Sequence, residues 1–224
     1  GSKVGLLDID LYGPSIPMMM GIHKELQTTP DKKLVPLKNY GVKLMSIGFM
    51  LDEETPLIWR GPLVMQLVQQ FLRGVEWGEL DYLVIDLPPG TGDAQLTLVQ
   101  TIPLTGAVIV TTPQDVALID ARRAIKMFTE VKVPILGIVE NMSFFTCPHC
   151  GKTTDIFSHG GGEKTGERYC IPFLGQIPID SQIRETGDAG KPIVEAYPDS
   201  PQTKAFFKIA EKVASGISVL DLKG

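Results

Sequence analysis

Tyr82-Leu-Val-Ile85 is a short apolar run with β-branched members, charged in front and followed by Asp86-Leu-Pro-Pro-Gly-Thr-Gly-Asp93. Such a run reads as a strand buried on both faces, the kind found in parallel sheets covered by helices. Parallel neighbours need long, right-handed crossovers, so this stretch alone points to an α/β chain. Asp86 then falls at the C-terminal end of a buried strand and faces a glycine-rich turn. That is where open α/β sheets bind ligands. A carboxylate there either helps hold a cation beside a phosphate or simply caps the next turn.

The rest of the chain repeats the pattern. Lys3 to Leu7 is a strand running into Asp8-Ile-Asp10, which Leu11-Tyr-Gly-Pro-Ser15 breaks. Carboxylates at i and i+2 of an extended end point the same way and can share one polar site; the alternative is an Asx-type turn toward Gly13-Pro14. Met18 to Gly21 reads as a short helical piece, Thr28 to Lys33 as a polar loop, and Val42 to Ile47 as a strand stopped by Gly48. Leu63, Val64, Leu67, Val68, Phe71 and Leu72 fall at helical spacing, with Pro62 tolerated in the first turn and Gly74 stopping the helix. Arg60, just before it, suits either an anion or a surface ion pair.

Leu96, Leu98, Val99 and Ile102 predict a helix that Asp93 caps. Ala107 to Val110 and Pro134 to Val139 are further strands, separated by an amphipathic helix with apolar residues at 118, 121, 125 and 128. Phe173 to Ile177 is another strand, and Phe206, Ile209, Ala210, Val213 and Ile217 give a closing helix. The alternation predicts one α/β domain over 1–224: a doubly wound, mainly parallel sheet flanked by helices in three αβα layers. An insert at about 143–158 interrupts it.

At 224 residues with net charge −5, the chain has no nucleic-acid or membrane-surface footprint. No apolar run approaches the ~18 residues of a membrane span, and no signal peptide is evident, so a cytoplasmic or organelle-matrix setting is expected. The three cysteines do not make a secreted disulfide framework.

Several strand ends thus carry informative residues: Asp8 and Asp10, Asp86, Pro113 to Asp115, Asn141, and Pro178 with Asp180. The matching text is Gly5-Leu-Leu-Asp-Ile-Asp-Leu-Tyr-Gly-Pro-Ser15, Trp59-Arg-Gly61, Asp86-Leu-Pro-Pro-Gly-Thr-Gly-Asp93, Thr112-Pro-Gln-Asp115, Glu140-Asn-Met142 and Cys147-x-x-Cys150. It resembles the MinD/ParA-like class of P-loop ATPases and, more narrowly, the Mrp-type (Nbp-like, ApbC-like) iron–sulfur cluster carriers. The resemblance implies a hydrolase of ATP with Mg²⁺. Asp10 would orient the attacking water, Asp8 support the metal shell, and Asp86 serve as the Walker B carboxylate acting through water. Gly90, Gly92 and Asp93 would form the γ-phosphate switch; Asn141 would read the adenine edge, with Pro178 and Asp180 lining the base. That class carries a lysine-bearing glycine loop before its first Asp-x-Asp strand. This sequence opens on that strand, so the resemblance implies a preceding segment with the loop and one more central strand. Gly160-Gly-Gly-Glu-Lys-Thr165 is no substitute, since Glu163 stands where a glycine is needed; it reads as a glycine-rich helix start.

Cys147-Pro-His-Cys150 places two thiols on a tight turn suited to a soft metal. Two ligands close neither a tetrahedral zinc site nor a four-thiolate cluster. A twofold homodimer in which each copy gives Cys147 and Cys150 to one 4Fe–4S cluster is the economical solution, and the resemblance implies the same. Zn bridged in the same way, or a redox dithiol, are the alternatives. Cys170 reads as a buried core cysteine and His149 as a solvent-facing spacer. The resemblance further implies apo-protein acceptors and assembly factors as partners. The rivals are a positioning or partition ATPase, in which the cysteine pair has no task, and a Zn-bridged interaction module.

Overall fold

The computed structural model describes residues 1–50 and 61–222; Trp59 and Arg60 lie outside the described residues. The chain divides into two compact units, one of residues 1–101 with 185–195, the other of 102–184 with 196–224.

The first unit contains β1 (Val4–Asp8), α1 (Ile16–Met19), β2 (Gln27–Thr28), β3 (Leu34–Val35), β4 (Leu37–Asn39), β5 (Val42–Ser46), α2 (Gly61–Arg73), β6 (Tyr82–Asp86) and α3 (Asp93–Thr101). Its sheet runs β4-β5-β1-β6. β1 is parallel to both β5 and β6, and the register sets Asp8 beside Ser46 on one side and Asp86 on the other. β4 joins antiparallel through a tight hairpin. The polar stretch after Thr28 closes a small hairpin of β2 and β3, short pairings that no run of apolar residues announces. Leu7, Leu44, Met45, Ile47 and Phe71 are fully buried here, each contributing about 1.5–3 kcal/mol relative to exposure. On α2, Val64, Val68 and Phe71 face inward, whereas Leu63 remains exposed. β6 corrects the expectation of a strand buried on both faces: Val84 is 53% exposed, and among the described residues β6 pairs with β1 alone.

The second unit holds β7 (Ala107–Thr111), α4 (Asp115–Glu130), β8 (Ile135–Glu140), β9 (Phe145–Thr146), β10 (Thr153–Thr154), α5 (Gly161–Tyr169) and β11 (Phe173–Gln176). α6 (Ser181–Asp188) and α7 (Ile193–Ala196) carry the chain out to the first unit and back, and α8 (Pro201–Asp221) ends it. The strands β11-β8-β7 are all parallel. Leu118, Ala121, Ile125 and Phe128 are the buried stripe of α4, as their spacing requires. Phe206, Ile209 and Val213 of α8 pack against Val139, Leu174 and Ile177. Ser200 starts that helix by accepting a bond from the Thr203 amide at 3.1 Å.

Parallel strands flanked by helices are what the alternating pattern predicts. Among the described residues no helix is long and apolar enough to cross a membrane. Cys170 is a correction: it is exposed and sits in the left-handed cap of α5 at φ +55°. The helix ends there, so the side chain turns out to water and never meets the core.

Candidate functional site

The first cluster of predicted residues forms at the C-terminal edge of the first unit's sheet. Asp8 is completely buried; one carboxyl oxygen accepts from Ser46 Oγ at 2.8 Å and the other from the Asp10 amide at 3.1 Å. β1 ends at Asp8, so Asp10 lies in a turn and does not continue the strand's alternation. Its Oδ1 accepts from the amides of Tyr12 and Gly13 at 3.0 and 3.3 Å, the Asx-type arrangement. The carboxyls nevertheless act on one another. Burial pushes the Asp8 carboxyl up, opposed by its bonds to Ser46 and Asp10 and reinforced by the Asp10 charge. Asp86 is pushed up to about 6, first by desolvation, then by Asp8, then by Asp10. Asp86 as a residue is exposed, so water screens part of this effect. Asp8 and Asp86, whose ionisation is opposed first by burial and then by neighbouring carboxylates, form with Asp10 a site that a divalent cation would relieve. Asp8, Asp10 and Asp86 therefore fit Mg²⁺ by their donor set. Among the described residues no three His, Cys, Asp or Glu side chains gather closely enough to hold a metal directly.

The turn after Asp86 is shaped by its own residues. Gly90 has φ +99°, a conformation that strains other residues. Gln95, one turn into α3, donates from Nε2 to the Pro89 carbonyl at 2.7 Å. Asp93 is the first residue of α3 and not its cap; the Gly92 carbonyl accepts the Leu96 amide at 3.0 Å. Gly92 and Asp93 are both exposed.

In the second unit, Asn141 follows β8 directly, with its amide bonded to the Thr111 carbonyl at 2.7 Å. Its Oδ1 accepts from the Met142 amide at 2.9 Å. Pro178 is bracketed by two ladder bonds, Ser143 N to Ile177 O at 3.0 Å and Ile179 N to Phe144 O at 2.7 Å. Asp180 accepts the Gln182 amide at 2.7 Å and a bond from the Gln202 side chain. The fold thus brings Asn141, Pro178 and Asp180 beside the root of the cysteine-bearing insert. A groove of about 540 Å³ along β11 and α8 shares no residue with that group.

The insert is a hairpin, β9 paired antiparallel with β10, and its tip is Cys147-Pro-His-Cys150-Gly151. The Cys147 amide bonds the Lys152 carbonyl at 3.0 Å, and the Gly151 amide, at φ +68°, returns to the Cys147 carbonyl at 2.9 Å. This folds the peptide back so that amides aim at sulfur. The Cys147 thiol is pulled down by the Cys150 amide first, then by the His149 amide and the Cys150 side chain. Cys150 and His149 are exposed. A thiolate cradled by amides at an open tip is a ligand for a soft metal.

Glu140 is the residue that sequence reasoning passed over. It is fully buried, and its Oε2 accepts the Gly162 amide at 2.6 Å while Oε1 accepts the Gly160 amide at 3.1 Å. The glycine run of 160–162 is the start of α5, and the anion at that helix terminus is this chain's own carboxylate. A Cβ on Gly162 would lie 3.2 Å from both Glu140 Cβ and Oε2, and one on Gly161 would lie 2.6 Å from Leu118 Cδ1. In the sequence it shows as an acidic residue closing an otherwise apolar strand, within Glu140-Asn-Met142, and no role is assigned to it there.

Parallel strands flanked by helices, with carboxylates and a glycine turn at the strand ends, define an α/β architecture of the ligand-binding, nucleotide-type kind. The chain belongs to the ParA group of NUBPL iron-transfer P-loop NTPases, whose profile matches residues 1–214. It is 53% identical over 221 residues to the iron–sulfur cluster transfer protein NUBPL of Dictyostelium discoideum, covering 98% of this chain and 68% of that protein. It is 49% identical over 216 residues to the iron–sulfur cluster carrier protein of Escherichia coli K12, covering 96% of this chain and 58% of that one. The chain thus spans between about half and two thirds of the length of these relatives. Among solved structures, a nucleotide-binding protein of Archaeoglobus fulgidus in complex with ADP, with cobalt found, superposes with TM-score 0.78 at 43% identity, covering 92% of this chain and 80% of that chain. The septum site-determining protein MinD of Pyrococcus horikoshii, complexed with Mg-ADP, superposes with TM-score 0.67 at 21% identity, covering 95% and 84%. It shares the fold.

Proposed function

We propose that the protein is an ATP-dependent iron–sulfur cluster carrier, which receives a 4Fe–4S cluster between two copies and passes it to apo-proteins. The observation that carries this reading is the Cys147–Cys150 tip: two thiols on one turn, Cys147 faced by amides and Cys150 exposed, that supply half of a four-thiolate set. Exposed thiolates release their metal readily, which suits delivery better than electron storage. Apo-proteins and assembly factors are the corresponding partners, and a reducing compartment, cytoplasm or organelle matrix, keeps the pair free of disulfide.

On the nucleotide side, bound Mg²⁺–ATP supplies the phosphoryl group and the charge that polarises it. Asp86 and Asp8 hold the metal's water shell, and Asp10 orients the attacking water. Gly90, Gly92 and Asp93 follow the γ-phosphate, while Asn141, Pro178 and Asp180 accommodate the base. Catalysis of this kind is positioning and charge neutralisation, so acceptors fixed by Ser46 and the Asp10 amide suit it. Nucleotide state then gates loading and release at the cysteines.

The test is anaerobic reconstitution with iron and sulfide. Wild-type protein should take up metal, gain the broad visible absorption of a cluster and dimerise, and the double substitution Cys147→Ala, Cys150→Ala should abolish all three. An unchanged spectrum in the double variant sinks the assignment. The same thiols suit zinc, and metal analysis of protein purified without oxygen decides between the two cargoes.

A further inference from the structure

Nothing on the cysteine loop between 144 and 159 is buried. The segment has no core of its own, so its order depends on how its two roots are held. At the first root, Ser143 donates its hydroxyl to Glu140 Oε1 at 2.5 Å. At the second, the Gly160 and Gly162 amides donate to the same carboxylate at 3.1 and 2.6 Å. The two ends also meet directly, since Ser143 Oγ lies 3.2 Å from His159 Nδ1. Ser143 Oγ also lies 3.2 Å from Gln176 Oε1.

We propose that Glu140 is the positioning residue of the cysteine loop: its buried carboxylate clamps both roots and so fixes the direction in which Cys147 and Cys150 present their thiolates. The inference rests on the cluster-carrier reading above. The first root has a second fastening in the ladder bonds around Pro178, whereas the second root depends on Glu140 and the helix it starts. Glu140 also immediately precedes Asn141, so the clamp sets the cysteines relative to the residues at the base end of the nucleotide site. A helix start could be satisfied by water or by a capping serine; enclosing an acid there, with glycine at 162 to admit it, ties the helix to this strand and this loop.

Ser143→Ala removes one root's bond and leaves the carboxylate satisfied by two amides. Glu140→Gln sets an amide NH₂ against a backbone donor and loosens the second root. The experiment uses the full-length protein, with hydrogen exchange read by peptide, Co²⁺ binding read by its thiolate charge-transfer band, and cluster loss timed against a chelator. In both variants, 144–158 should exchange about tenfold faster while β7 and β8 keep wild-type protection, and Co²⁺ and cluster should leave about tenfold faster. A merely structural Glu140 predicts faster exchange throughout the second unit and unchanged metal release from folded protein, and that result overturns the proposal. If Glu140→Gln fails to fold, Ser143→Ala decides alone: wild-type loop exchange and metal release there also overturn it. Should the wild-type protein take no cluster, the carrier reading fails, while loop exchange and Co²⁺ release still decide the clamp.

Discussion

Replacing Asp86 with Asn should stabilise the chain near neutral pH and leave it unchanged in acid. Asp86 is the register partner of Asp8 on the neighbouring strand. Its carboxyl is pushed from 3.8 up to about 6, by desolvation first and then by Asp8 and Asp10. A carboxyl raised in this way holds its proton more tightly in the folded state. Its contribution to stability is therefore fully present below 3.8 and is lost as pH rises through 6. At face value the shift corresponds to ~3 kcal/mol. Asp86 as a residue is exposed, and screening by water reduces this to ~1 kcal/mol. For a chain of this length that is about 2–4 °C in Tm. The assay is thermal unfolding of wild type and Asp86→Asn in parallel, without divalent ions, from about pH 4 to about pH 8. The two should coincide at the acid end and separate by that amount at the other, with the variant higher. Excess Mg²⁺ should then raise the wild type at the alkaline end and leave the variant where it was. A variant less stable than wild type at neutral pH, or a difference independent of pH, would refute the reasoning.

Cys147 should alkylate at neutral pH faster than a cysteine in an unstructured peptide, because its thiol is pulled down by the Cys150 amide first and then by the His149 amide; peptide mass spectrometry after a short iodoacetamide pulse reads its rate against that peptide, and an equal or slower rate would contradict it. Gly161→Ala should destabilise by about 2 kcal/mol or more, since its Cβ would meet Leu118 Cδ1 at 2.6 Å and the Pro113 carbonyl at 2.9 Å. Gly160→Ala, with φ +76° but open space around it, should cost about 1 kcal/mol, both glycine variants being read by urea titration against wild type. Ser200→Ala should cost about 1 kcal/mol through the lost cap on α8. Phe71→Ala, at a fully buried position of the first unit, should cost about 3–5 kcal/mol.

Elements with a strong period were legible and those without one were not. Leu118, Ala121, Ile125 and Phe128 announce α4 because a 3.6-residue repeat has no other economical use. The pairings of β2 with β3 and of β9 with β10 are two residues long, too short for any alternation to register. Burial misled at β6 for a different reason. An apolar β-branched run specifies a strand but not what covers its faces, and Val84 is exposed here. Cys170 fails likewise: its apolar neighbours suggested a core, but the chain had already turned into the left-handed cap that ends α5.

The site residues divide along the same line. Asp8, Asp10 and Asp86 could be singled out as candidates because carboxylates at or just past a strand end, before a glycine turn, are local text. Ser46 and Glu140 were not, because their roles exist only across the fold: Ser46 becomes the partner of Asp8 through a strand register, and Glu140 becomes the anion of a helix that starts twenty residues later. The glycines of 160–162 show why the distinction matters for function. A glycine-rich helix start exposes amides and a positive dipole end, and from sequence alone the natural occupant is a phosphate. Here the buried strand end beside it already brings a carboxylate, which satisfies those amides and excludes a second anion from the same place. A glycine-rich start is therefore informative about phosphate only when the strand end facing it lacks an acid. In this chain the acid is present, and the helix start serves to fasten the loop that carries the thiols.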